Sequence, residues 1–153
     1  MNYQVQIIRD IPCSDPIGNL DAIARTVLKH ENASPGDISV VLTSEEKIHD
    51  LNFRFAQIDQ PTDVLAFNDG SLDPETNRIY YGDITIALPI AQQQAEQAHH
   101  SLAAELALLT IHGVLHLLGY NHQEETERKH MWDIQAKIME NFGYSFNTSE
   151  YEA

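Results

Sequence analysis

Hydrophobic and polar positions along the chain follow two periods. Tyr3, Val5 and Ile7 alternate with polar residues, the repeat of a half-buried strand. Ser14-Asp15-Pro16 predicts a helix start, after which Ile17, Leu20, Ala24, Val27 and Leu28 form one helical face. Asp37 to Leu42 is short, apolar and β-branched, suiting a buried strand. Thr43 with Glu46 predicts a capping box for a helix that buries Ile48, Leu51 and Phe55. Thr62 to Phe67 reads as a third strand, Asn68 to Asn77 as an exposed loop rich in turn residues, and Ile79 to Leu88 as a fourth strand. Three helical stretches follow: Pro89 to near His99, Leu102 to Leu118, and Glu124 to Phe142, stopped by Gly143. The order is βαβαββααα. Strands three and four, joined by a loop of hairpin type, should be antiparallel. The expected fold class is therefore α/β in the α+β sense: a mixed four-stranded sheet covered by about five helices.

Composition narrows this picture. A chain of 153 residues fits one domain able to bury a continuous core. We place that domain at 1–143 and expect 144–153 to be an acidic, poorly ordered tail. Cys13 is the only cysteine, so no intrachain disulfide can form, and a reducing cytoplasm is the expected location. The opening residues MNYQVQIIRD lack a basic region followed by an apolar run and read as a strand, not a signal peptide. Leu102 to Leu118, the most apolar stretch, carries Glu105, Thr110, His112 and His116, which suits a buried helix better than a membrane span. Nine basic against twenty-three acidic residues give a net charge of -14, a field that repels polyanions. This counts against a general nucleic-acid binder, and neither DNA nor a membrane is an expected partner. Any RNA contact must come through a local patch, a metal ion or a protein that delivers the RNA.

The candidate chemistry lies in HGVLHLLGYNH, from His112 to His122. Its first two histidines are four residues apart on a helix, where they can share one metal ion. Gly119 can adopt the left-handed conformation that ends a helix, folding the chain back to present His122 to the same ion. Three imidazoles leave a tetrahedral zinc one open position, the arrangement of catalytic sites. A lone histidine is more often a core or surface residue, but here Glu105, His112 and His116 form one polar stripe on an otherwise apolar helix. Such a stripe needs partners, and a metal supplies them. The same spacing occurs in metzincin peptidases, which carry a glutamate base after the first histidine; here that position is Gly113. Hydrolysis fits this pattern, whereas proteolysis lacks its base.

HGVLHLLGYNH resembles the histidine motif of the YbeY family of bacterial rRNA maturation factors. LNFRFAQIDQPTDVLAF, from Leu51 to Phe67, and GDITIA, from Gly82 to Ala87, resemble its other recognisable segments, and QAEQAHHSLAAELALLTIHG resembles its lead-in to the metal helix. The resemblance implies a mixed α/β fold and a metal-dependent, single-strand-specific endoribonuclease acting in rRNA processing and late small-subunit maturation. It implies one Zn(2+) per chain held by His112, His116 and His122, which act catalytically through the metal, and no organic cofactor. It also suggests a cleft between the metal helix and the strand containing Asp83. The implied partners are single-stranded rRNA, the small ribosomal subunit and its assembly proteins. The family usually has an arginine where this chain has Ala56; Arg54, two positions earlier, is the candidate substitute. Asn121 and Ala66 stand where the family commonly has aspartate and serine.

Two rivals remain at this level: a non-catalytic, metal-bound assembly factor, favoured by Ala56 and Asn121, and a zinc metallopeptidase without its usual glutamate. Asp63 and Asp83 are candidates to orient ligands or substrate, or else to satisfy local backbone donors. Glu105 lies two turns before His112, roughly 10 Å along the axis and out of its direct reach. Phe53, Phe55 and Phe67 are expected in the core in preference to a base-stacking surface.

Overall fold

The computed structural model describes residues 2–121 and 123–144. In chain order the elements are β1 (Tyr3–Arg9), α1 (Leu20–His30), β2 (Gly36–Thr43), α2 (Glu45–Ala56), β3 (Val64–Leu72), β4 (Ile79–Ala87), α3 (Leu88–Ala98), α4 (Leu102–Leu117) and α5 (Glu125–Asn141). The strands form one mixed sheet in the order β1-β2-β4-β3. β1 and β4 run parallel to β2, and β3 runs antiparallel to β4 at an edge. The expected order, strand number and hairpin orientation are those observed.

The two-residue strand repeat gives the sheet unlike faces. Val40, Ile84 and Ala66 lie abreast on three strands, as do Leu42, Ile86 and Val64. This face turns to α4, because a side chain on Gly113 would meet Ile84. Here the core forms, with Leu20, Leu28, Leu106, Ile111 and Ile138 fully or almost fully buried. Ser39, Asp83 and Phe67 lie abreast on the opposite face. The Tyr80 hydroxyl donates to Asp83 there and lies 2.8 Å from Ser39 Oγ.

Four local expectations are corrected. Ser14-Asp15-Pro16 does not start α1; Gly18 takes a left-handed φ of +78°, and the helix begins at Leu20 behind Asn19. The cap of α2 is Ser44 in place of Thr43, its side chain accepting from Lys47 N at 3.1 Å. That helix buries Ile48 and Asn52, while Phe55 is 65% exposed and Leu51 half-buried. β3 also runs through Asn68 to Leu72, where a loop was expected. A bulge between Asn68 and Ser71 absorbs the turn residues without ending the ladder.

Of the expected tail, Tyr144 is described and packs against the core; residues 145–153 lie outside the described set. Among the described residues no single helix is long and apolar enough to cross a membrane.

Candidate metal centre

α4 brings the site into the domain. Ser101 caps it by accepting from Ala104 N at 3.1 Å, and every residue of the helix except Ala103 and His116 is buried. A helix enclosed on nearly all sides holds its side chains in one setting. His112, 7% exposed, and His116, one turn later and half-buried, place their Nε2 atoms 3.0 Å apart. Both line a cleft of about 290 Å³ whose other wall is the start of β3, made by Val64, Leu65, Ala66 and Asn68, with Thr62 and Asp63. Asn68 Nδ2 donates to the Leu117 carbonyl at 3.1 Å and ties the edge strand to the helix end. The cleft therefore lies against β3. The expected wall, the strand of Asp83, is one strand further in, and Asp83 faces away.

The helix stop is the expected one. Gly119 has φ +100°, with its N–H on the His116 carbonyl at 3.0 Å and Tyr120 N–H on the Leu115 carbonyl at 3.1 Å. These paired bonds reverse the chain behind a helix and need a left-handed residue, which glycine adopts without steric cost. His122, expected as the third ligand, lies outside the described residues.

The donor pair suits a first-row metal ion. Bonds of about 2.05 Å at a tetrahedral angle set two nitrogens roughly 3.3 Å apart, close to the observed 3.0 Å. On the far side of its ring, His112 Nδ1 lies 3.2 Å from Gln135 Oε1 of α5. Gln135 was not anticipated from sequence; the only available signal was a polar residue on the apolar face of α5, beside Met131, Ile134 and Ile138.

Gly113, read as a missing catalytic glutamate, has a steric explanation. A Cβ there would sit 2.6 Å from Ile84 Cγ2, so the helix packs on the sheet too closely for a side chain at this position. The glutamate of a peptidase site has no room in this fold.

The other sequence candidates fall in separate places. Arg54 has its side chain 64% exposed, pairs with Asp50 at 3.4 Å and does not line the cleft. Asp63 does line it, near Thr62 Oγ1 and Gln94 Nε2, each at 3.4 Å. Glu105, fully buried, meets His100 Nε2 at 2.7 Å across the α3–α4 corner. Phe55 and Phe67 form an edge-to-face pair with ring centres 5.6 Å apart. Asn121 Oδ1 accepts from Gln123 N at 3.0 Å, serving its own turn.

Comparison with known proteins agrees with this architecture. The family described as Endoribonuclease YbeY matches residues 14–143. A protein of that name from Rhodococcus erythropolis is 36% identical over 100% of this chain and 88% of its own length. Another, from Mycobacterium sp. (strain KMS), is 41% identical over 79% of this chain and 73% of its own. A solution structure from Thermotoga maritima aligns with a TM-score of 0.63 and 31% identity, covering 91% of this chain and 89% of that one. Both the family match and these relatives extend across the two walls of the cleft, and on that ground the chain belongs to the YbeY family of endoribonucleases.

Proposed function

We propose that this chain is a zinc-dependent endoribonuclease that cuts single-stranded ribosomal RNA during late maturation of the small subunit, in the cytoplasm. The observation that carries the reading is the pair of imidazole Nε2 atoms, 3.0 Å apart, in the cleft of a chain from an endoribonuclease family. His112 and His116 would hold the ion, joined by His122 from its place after the Gly119 turn. Bound there, zinc polarises a phosphoryl oxygen and lowers the pKa of a water. The protein supplies the setting: burial of α4 fixes both imidazoles, and Val64, Leu65 and Ala66 make the opposite wall largely apolar. Of the described residues lining the cleft, Asp63 alone carries a carboxylate, so its Oδ atoms are the acceptor available for a proton there. The charge of -14 supports delivery of the RNA by the small subunit and its assembly proteins, since naked RNA is repelled at long range.

The test pairs metal content with cleavage of a single-stranded ribosomal RNA fragment, in the wild type and His116→Ala. We expect about one zinc per wild-type chain, as a single open three-ligand site requires. Replacing His116 should remove both the metal and the cleavage. Cleavage that survives the substitution and chelation unchanged would sink the mechanism.

A second reading, a metal-bound assembly factor without catalysis, draws on Ala56 and on the outward, Asp50-paired Arg54. Rescue of ribosome maturation in cells by a metal-binding but inactive variant would favour it.

A further inference from the structure

Gln135 is 1% exposed on a helix face otherwise made of Met131, Ile134, Ile138 and Met139. A buried amide at such a position is retained for what it bonds, and its Oε1 lies 3.2 Å from Nδ1 of His112. We propose that Gln135 is a positioning residue that holds His112 with its proton on Nδ1 and its lone pair on Nε2, facing His116. This inference rests on reading the two histidines as metal ligands.

The argument is one of donor and acceptor. An amide oxygen only accepts, so the ring nitrogen facing it carries the proton. A neutral imidazole has one N–H, so Nε2 is then bare, and Nε2 is the atom 3.0 Å from His116 Nε2. A metal ion takes that lone pair, and a fixed ring orientation spares it the cost of ordering the ligand. α5 thus contributes to the site without lining the cleft. Gln135 touches neither substrate nor reacting atoms and acts through His112.

The experiment uses the full chain as wild type, Gln135→Met and Gln135→Glu. Methionine keeps the length and removes the acceptor; glutamate keeps an acceptor and strengthens it. Imidazole nitrogen NMR of the metal-free protein reads the tautomer, competition with a chromophoric chelator reads affinity for Zn(2+) alone, and circular dichroism checks folding. Expected are an Nδ1-protonated His112 in the wild type, a mixture of tautomers in Gln135→Met, and zinc affinity roughly 10- to 100-fold weaker in that variant. Gln135→Glu should keep the wild-type tautomer and bind zinc at least as tightly. A wild-type His112 protonated on Nε2 overturns the inference without recourse to any variant. So does a folded Gln135→Met with unchanged tautomer and affinity. If Zn(2+) binds none of the three proteins, the metal reading fails, and the tautomer comparison still decides the role of Gln135.

Discussion

The two ends of α4 carry similar side chains in different settings. At the N-terminal end Glu105 meets His100 at 2.7 Å, with side chains 0% and 12% exposed. At the C-terminal end His112 and His116 meet through their Nε2 atoms beside a cleft. A carboxylate accepts from an imidazole N–H, so the first pair fastens the corner between α3 and α4. Two imidazoles set nitrogen against nitrogen, an arrangement suited to a shared cation. Residue type does not separate a structural histidine from a candidate ligand here; what stands opposite the ring does.

Breaking the N-terminal pair should have the largest effect on stability. Removing one partner leaves the other buried and unsatisfied, at a cost of about 1–3 kcal/mol. Glu105 is fully buried, so we expect Glu105→Ala to lose stability near the upper end, about 3 kcal/mol by denaturant titration. Zinc binding should be retained by whatever fraction stays folded. A loss below about 0.5 kcal/mol, the scale of a surface substitution, would mean that the pair fastens nothing.

The C-terminal end should respond to metal instead. Zinc at 100 times its dissociation constant should stabilise the wild type by about 2.7 kcal/mol and His116→Ala far less. Thermal melts with and without zinc, after chelation, measure this. Equal shifts in both proteins would move the metal elsewhere.

Between the two ends, Gly113 sharpens the comparison, because it sets how closely α4 approaches the sheet. A methyl group 2.6 Å from the buried Ile84 overpacks the contact, at a cost of about 1–3 kcal/mol. Improved helix propensity returns up to about 1 kcal/mol. Gly113→Ala should therefore be destabilised by about 1–2 kcal/mol net. A melting temperature equal to or above the wild type would show that the helix shifts to make room.

The smallest effect lies on the far face of the sheet, beyond either end of α4. Burial, and then the hydrogen bond to Asp83, push the Tyr80 phenol from 10.0 up to about 12. A proton held more tightly in the folded state favours folding fully below pH 10 and stops doing so as pH rises through about 12. Alkaline denaturation of Tyr80→Phe should thus show a shallower loss across that window, with a remainder from Tyr120, also raised to about 12 by burial and Glu31. A loss as steep as in the wild type would assign the decline to other groups.

What could be read in advance follows from the range of the interactions involved. The order of elements, the buried character of α4, the one-turn spacing of His112 and His116 and the left-handed Gly119 depend on neighbours within a few residues. The misread positions depend on distant ones. Ser14-Asp15-Pro16 is a sound local helix start, yet Gly18 turns the backbone there, against Ala103 of α4 and Tyr144 beyond α5. Phe55 fits the apolar pattern of α2 but lies near its end, past the part of the helix that the core covers. The turn residues after Phe67 suggested a loop because a bulge within a ladder has no local signature apart from its glycine.

Taken alone, the sequence determined the elements, the kind of sheet and two candidate ligands, because backbone preference, hydrophobic period and helical spacing are properties of short segments. Tertiary structure decided which strand walls the cleft, why Gly113 can carry no side chain, and that a glutamine on α5 stands behind His112. Each of these depends on the distance between atoms far apart in the chain, which packing of the whole domain sets.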